Sequence, residues 1–474
     1  MFSEVAITTS NTDSHIYVWD IRSGTVLGSF KQSTCNAHAL ALANTPLGNG
    51  RPGLVLSAQN DKALMHAYSW TKDQIHLKFP FPEKITTLAT TNKGTFCVGG
   101  TESGKIYVWE VSTGNLLSTF DAHYKKITVL RFSQDDTVLF TGSEDSAVNV
   151  WLLNSIIDES NAQNRSPLYS WSDHSLPITD IHCGSGGLKF ARVVTSSLDH
   201  TCKVWDLASG SLLTTLLFPS FVSAVAMDIT ETRVFAATGD SNIYQVNMYK
   251  SQADRGHSSF ESVGGMGTVV SAGINGESSL LFKGHTEPAH SLALSFDGTL
   301  LISGSEDGSA MVWDVTSRQM LRSFTQHKGP ITNVAVILKP ADLMNTMAGT
   351  TVLPTPIQPF KRIQKSSQEA RLDEGVLRYL PGAKEDMAAL DKSVSYEEWN
   401  LPYQRDLQHA RATLQSQQRQ GTQDHLRDQI TDLQGELVRI HDHYQRVRNL
   451  NDELYQGAVT EFMKQQRAEH NDDV

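Results

Sequence analysis

The sequence is poor in cysteine, in long apolar runs and in positive charge, and each shortage removes a class of function. Four cysteines occur in 474 residues (Cys35, Cys97, Cys183 and Cys202), never closer than 19 positions. That spacing excludes a CxxC zinc or thioredoxin-type site and suits buried thiols in a reducing compartment better than a disulfide scaffold. No apolar run approaches the roughly 18 residues of a spanning helix. The start, Met1-Phe2-Ser3-Glu4, carries an acid where a secretory leader would be basic. A soluble intracellular protein with no membrane contact is expected. Lys and Arg number 40 against 51 Asp and Glu, a net charge of -11. The overall field therefore disfavours nucleic acid, and any direct contact with it must be local and small.

Catalytic signatures are missing as well. There is no GxxxxGK[ST] and no HExxH. Gly48-Asn-Gly50-Arg-Pro-Gly53 matches GxGxxG formally, yet Pro52 and the strand-like Leu54-Val-Leu-Ser after it contradict the strand-turn-helix context that a dinucleotide fingerprint needs. His441-Asp-His443 falls on the polar side of a helical stretch. No catalytic residue, cofactor or metal ligand set is assigned.

What the sequence does have is internal repetition. His15-Ile-Tyr-Val-Trp19-Asp20, Lys105-Ile-Tyr-Val-Trp109-Glu110, Ala147-Val-Asn-Val-Trp151, Cys202-Lys-Val-Trp205-Asp206 and Ser309-Ala-Met-Val-Trp313-Asp314 share alternating strand residues that end in Trp and usually an acid. Each follows a turn of small residues such as Gly304-Ser305-Glu306-Asp307-Gly308. Most precede a second turn and a short apolar strand, as in Ser112-Thr-Gly114-Asn-Leu116-Leu-Ser-Thr-Phe120. This is a β-meander unit. Two weaker copies run from Leu64 to Trp70, where the Trp lacks its acid, and from Ser241 to Asn247, where Val246 stands at the Trp position. Seven units result.

These units resemble the WD-repeat family of β-propellers, whose blades carry Gly-His before the inner strand and Trp-Asp closing the third. The resemblance covers residues 1–338 and implies an all-β, seven-bladed propeller. It also implies a buried chain of Trp, hydroxyl, His and Asp in each blade, with the Asp six residues before the Trp and the hydroxyl four before the Asp. Three sets keep those offsets: His123, Thr141, Asp145, Trp151; His174, Thr195, Asp199, Trp205; and His285, Ser303, Asp307, Trp313. A fourth, His327 with Thr9, Asp13 and Trp19, exists only if the chain is circular. Strand 331–338 is therefore expected to pair into the first blade and seal the ring, leaving no open sheet edge. The same residue types build hydrolase triads, but four symmetric copies are the mark of repeat packing. Ser103 stands where blade three would have its Asp, and Asp240 in blade six has no matching His. A Gly- and Ser-rich stretch near 250–278 reads as a surface loop between blades six and seven.

Beyond Leu338 the composition changes. Residues 339–402 hold six of the fifteen prolines among scattered apolar side chains, an extended linker or a strap along the propeller or a partner. Phe360-Lys361-Arg362-Ile363-Gln364-Lys365 is a weak candidate for an RNA contact or an import signal. Residues 403–470 are rich in helix formers and lack proline. Leu426, Ile430, Leu433, Leu437, Ile440, Tyr444, Val447, Asn451 and Leu454 alternate at spacings of four and three, the seam of a coiled coil. Asn451 at an a position favours a parallel pair, so a homodimer through this helix is expected. A helix packed on its own propeller, or on a partner's helices, remains the alternative.

The whole pattern is similar to one branch of the family, the WD-repeat subunits of the nuclear complex that joins maturing large ribosomal subunits. Glu4-Val-Ala-Ile to Trp19-Asp20, Gln59-Asn-Asp-Lys-Ala-Leu-Met-His-Ala-Tyr-Ser-Trp70 and a terminal helix after a Pro-rich segment carry that likeness. It implies a non-enzymatic scaffold in the nucleolus and nucleoplasm. Such a subunit dimerises through its helix, holds a large α-helical scaffold subunit, and helps recruit an AAA ATPase to pre-60S particles during rRNA processing. The competing reading is another WD-repeat adaptor, such as a ubiquitin-ligase substrate receptor, though no ligase-docking element is recognised ahead of the first repeat.

Overall fold

The computed structural model describes residues 4–44, 52–70, 72–158, 165–252, 259–262, 267–271, 280–340 and 358–362, together with Gln445. Within 4–340 the repeated meanders form seven antiparallel sheets. Each has an inner strand, two middle strands and an outer strand, joined by tight turns. The third strands, His15–Asp20 and Lys105–Glu110 among them, bury Ile16, Val18, Trp19, Ile106, Val108 and Trp109. These are the β-branched and aromatic residues that suit a doubly covered sheet. The inner strands neighbour one another in a closed ring.

Closure uses both ends of this region. Strand Glu4–Ser10 pairs antiparallel with Ile331–Leu338, in a register from Glu4 opposite Leu338 to Ser10 opposite Ile331. The first blade therefore has its inner strand from the end of the repeat region and its other three strands from the beginning.

Neighbouring blades meet through aromatic rings. At six junctions a ring in or just after the outer strand of one blade faces the third strand of the next: Phe324 on Trp19 (4.6 Å), Phe30 on Tyr68 (5.2 Å), Phe120 on Trp151 (4.9 Å), Trp171 on Trp205 (4.5 Å), Phe218 on Tyr244 (5.8 Å) and Phe282 on Trp313 (5.8 Å). Each such pair adds about 0.5–1.5 kcal/mol beyond its area burial. At the junction of blades two and three, Phe81, just after the outer strand Ile75–Pro80, meets Trp109 in the same way (4.9 Å).

Two expectations are corrected by the strand register. Val55 lies opposite Tyr68 as Leu139 lies opposite Trp151. Tyr68, not Trp70, thus takes the tryptophan position of blade two, and its hydroxyl donates to the carbonyls of Lys31 and Gln32. The Gly- and Ser-rich insertion sits inside blade six, between its third strand Ile243–Asn247 and its short outer strand Leu281–Phe282, rather than between blades. It is more than a loop. Thr268–Ser271 adds a parallel fifth strand to the outer strand Leu212–Leu217 of blade five, and Tyr249–Gln252 pairs with Ser259–Ser262. The β-branched Thr268, Val269 and Val270 suit that role, since an outer strand otherwise leaves its backbone donors and acceptors unpaired. The coiled-coil positions from Leu426 to Leu454 lie outside the described residues.

A chain ending at residue 326 loses the strand that completes blade one, whereas one ending near 400 keeps it. The shorter chain is expected to aggregate or lose its cooperative thermal transition in light scattering and melting experiments. A monodisperse product with the melting temperature of the longer chain would refute closure by this strand.

Candidate interaction surface

The polar sets foreseen from spacing occupy the ends of blades one, four, five and seven. In blade four the Trp151 indole N–H donates to Thr141 Oγ1 (3.2 Å), which is 2.8 Å from His123 Nε2, and His123 Nδ1 is 3.0 Å from Asp145. Blade five repeats this with Trp205, Thr195, His174 and Asp199 at 3.0, 2.9 and 2.9 Å. Blade seven does so with Trp313, Ser303, His285 and Asp307 at 2.8, 2.6 and 3.2 Å. With the imidazole proton on Nδ1, donation runs from indole to hydroxyl to imidazole to carboxylate, and every buried polar atom has a partner. The hydroxyls of Thr141, Thr195 and Ser303 have no solvent exposure, so no substrate can reach them as nucleophiles. Their work is to tie the turns to the sheet.

Blade one corrects the expected residue. Thr8, not Thr9, accepts the Trp19 indole N–H and meets His327 Nε2, both at 2.8 Å, and His327 Nδ1 reaches Asp13 at 3.2 Å. The reason is one additional residue in the turn. Ser10 and Asp13 enclose Asn11 and Thr12, where Ser143 and Asp145 of blade four enclose Glu144 alone. Counting back from the Asp is therefore off by one. Counting ten residues back from the Trp also fails, and only the pairing of Ala6 with Trp19 places Thr8 correctly. Thr9 instead accepts from Asn333 Nδ2 (2.8 Å) beside the inner strand.

The remaining blades have other arrangements. Blade two uses Ser57 at the hydroxyl position, 2.6 Å from Ser33 and bonded to Cys35. In blade six Tyr244 donates to Asp240 (2.8 Å). Blade three has Gly99 at the hydroxyl position, because Cys97 faces Trp109. With no hydroxyl available, the Trp109 indole N–H donates instead to the carbonyl of Lys361, 3.0 Å away in the Pro-rich segment. Phe360, 4% exposed, lies between Phe79 (4.6 Å) and Trp109 (5.6 Å) as a third ring in the stack. Lys361 and Arg362, candidates for RNA contact in the sequence, have protein partners: Lys361 Nζ with Asn115 Oδ1 (2.6 Å) and Arg362 Nε with the Pro80 carbonyl (2.9 Å).

Sequence reasoning missed the axial channel. Asp180, 2% exposed, accepts the N–H groups of Ile181 (2.8 Å) and Val225 (3.1 Å) and faces both His38 and Arg131 at 3.8 Å. His38 adopts a left-handed backbone (φ 56°), donates its N–H to Asn333 Oδ1 (2.6 Å), and places its ring 3.2 Å from the Thr179 carbonyl. Burial, and then Arg131, push the His182 imidazole down to about 4. Around the same channel Thr86, Thr179, Ser223 and Thr332 donate to carbonyls of the next inner strand, at Ile127, Val222, Ala289 and Cys35. A cavity of about 620 Å³ lined by Asn36, Lys84, Thr86, Lys126 and His290 opens there. Such inward-pointing residues come from seven separate strands, and no local motif marks them. Among the described residues no group of three or more His, Cys, Asp or Glu is placed to hold a metal ion.

Two predictions follow from the tetrads. Thr8→Val leaves a buried indole N–H and an imidazole without their partner, and should cost about 1–3 kcal/mol in chemical denaturation. An unchanged midpoint would return the role to Thr9. The second concerns pH. Burial lowers His285 and His327 below the usual histidine range, against the opposing pull of Asp307 and Asp13. Burial alone would raise Asp145, Asp199 and Asp307, but hydrogen bonds from His123, His174 and Ser309 and from backbone N–H groups outweigh it and hold them low. In all five cases the unfolded chain binds more protons, so stability is lost on acidification. The melting temperature should fall as pH drops below about 6.5, the ordinary histidine value, and again below about 4, the ordinary aspartate value. A flat profile from neutrality to pH 5 would contradict the histidine contribution.

Comparison with known proteins follows the same division. The family described as WD domain, G-beta repeat matches residues 114–151, 165–206 and 276–314. Each match ends at or next to the Trp of a blade whose complete tetrad is continuous in sequence. Mouse WD repeat-containing protein 18 is 36% identical over 329 residues, covering 69% of this chain and 71% of its own. The pre-rRNA-processing protein IPI3 of Yarrowia lipolytica is 35% identical over 324 residues, 67% of this chain and 72% of its own. That of Candida albicans is 27% identical over 490 aligned positions, 93% and 94% of the two chains. With its blades, its tetrads and this degree of identity over about two thirds of its length, the chain belongs to the WD-repeat family that includes WD repeat-containing protein 18 and IPI3.

Proposed function

We propose that this protein is a non-enzymatic WD-repeat scaffold in pre-rRNA processing and maturation of the large (60S) ribosomal subunit. The observation that carries the reading is the 35–36% identity over 324–329 residues to proteins that include a pre-rRNA-processing factor. Two physical features support it. The Ser and Thr hydroxyls that resemble catalytic groups are sealed inside the blades, and the net charge of -11 favours assembly through protein surfaces over extensive rRNA contact. In this reading the chain works in the nucleolus and nucleoplasm, holds a large α-helical scaffold subunit, pairs with itself through the seam from Leu426 to Leu454, and helps bring an AAA ATPase to pre-60S particles.

The test is affinity purification of the tagged chain from nuclear extract, combined with depletion. Large-subunit assembly factors should co-purify, and precursor rRNA that retains the internal transcribed spacer 2 should accumulate on depletion. Recovery of cullin-type ligase components with normal rRNA precursors would point to a substrate receptor instead. Replacing Ile430, Leu437 and Ile440 by Asp should give monomers in light scattering with a nearly unchanged propeller melt. A dimer mass that persists would refute the seam.

A further inference from the structure

The junction of blades two and three holds an additional aromatic ring from the Pro-rich segment, and its seat has the features of a ligand site. Two aromatic residues meet directly across each of the seven junctions, Phe81 and Trp109 (4.9 Å) doing so at this one. Here Phe79 and Trp109 are held apart by the ring of Phe360, nearly parallel to both, at interplanar angles of 7° and 15°. The backbone around that ring is engaged as a bound peptide would be. Lys361 N–H donates to the Gly114 carbonyl (2.7 Å), and Lys361 C=O accepts the Trp109 indole N–H (3.0 Å). The approach is close enough to require a glycine on the propeller side. Gly114 has φ +68°, and a Cβ there would lie 2.5 Å from the Pro359 carbonyl oxygen. At the flanks Lys361 reaches Asn115 and Arg362 reaches the Pro80 carbonyl.

The propeller also needs this occupant. Trp109 is 1% exposed, and its blade offers Gly99 where every other blade with a Trp or Tyr at that position offers a hydroxyl. A buried indole N–H without an acceptor is costly, so blade three is incomplete until a carbonyl is supplied from outside the repeat. We propose that this junction is a peptide-binding site for an aromatic residue followed by a basic one, and that residues 358–362 are its resident ligand, completing blade three in the role that the tetrad plays elsewhere. The local concentration of a ligand on the same chain, in the millimolar range for short flexible connections, keeps the site filled and closed to peptides in solution.

Three measurements on the full chain test this, and none depends on ribosome-assembly partners. In the wild type the Lys361 amide should exchange its hydrogen at least about a hundredfold more slowly than in an unstructured peptide; exchange at the free-peptide rate would overturn the proposal. A fluorescent peptide spanning residues 356–364 should bind Phe360→Ala chain, by anisotropy, at least roughly tenfold more tightly than wild type. Equal affinity for both chains, or none for the variant, counts against the site. The same peptide with its own phenylalanine changed to alanine should fail to bind, and undiminished binding would show that the ring slot is not what recognises it. If Phe360→Ala does not fold, Phe360→Leu, which keeps apolar bulk but loses the ring stack, replaces it in the binding measurement.

Discussion

The pairing of Glu4–Ser10 with Ile331–Leu338 is the constraint on which the rest of the architecture depends. A propeller blade buries both faces against its neighbours, so a ring with one blade missing a strand exposes an edge and two apolar faces together. The clasp is reinforced by polar contacts that join the same distant stretches. His327 links to Thr8 and Asp13, Thr332 donates to the Cys35 carbonyl, and Asn333 donates to both Thr9 and the Asn36 carbonyl. Blade one is thus tied to blade two by the strand that also completes it.

Once the ring is closed, each blade must satisfy the polar atoms that its narrow sheet buries. Four blades do this with the tetrad, in which a single hydroxyl serves the indole and the imidazole at once. Blades two and six substitute a Ser–Cys cluster and a Tyr–Asp pair. Blade three recruits backbone from residue 361. These solutions differ in chemistry and share one effect, that the buried side chain at or beside the tryptophan position finds a hydrogen-bond partner. They also make the seven blades of a pseudo-symmetric ring chemically unequal.

The axial channel adds a further asymmetry. Alanines occupy Ala226, Ala293 and Ala335 on three inner strands, while Arg131 and His182 stand on two others and Asp180 binds across to His38. The charged cluster of Arg131, Asp180 and His38 joins blades four, five and two. With the hydroxyl-to-carbonyl bonds between inner strands, this network ties neighbouring blades together around the channel.

Seven meanders, the circular closure and three of the four tetrads were legible in the amino-acid order, because strand alternation, turn residues and fixed offsets from tryptophan are local properties of the chain. Where a turn gained one residue, as between Ser10 and Asp13, the offset misled and the register of paired strands placed Thr8 where Thr9 was expected. Tyr68 displaced Trp70 for the same reason, since opposition across a sheet is set by hydrogen bonding between strands and not by residue type. Phe360 between Phe79 and Trp109, the added strand at Thr268–Ser271, and the ring of Asp180, Arg131 and His38 join segments separated by tens to hundreds of positions. Such encounters depend on three-dimensional packing, in which a missing hydroxyl or an unpaired edge in one repeat is answered by whichever distant segment can reach it.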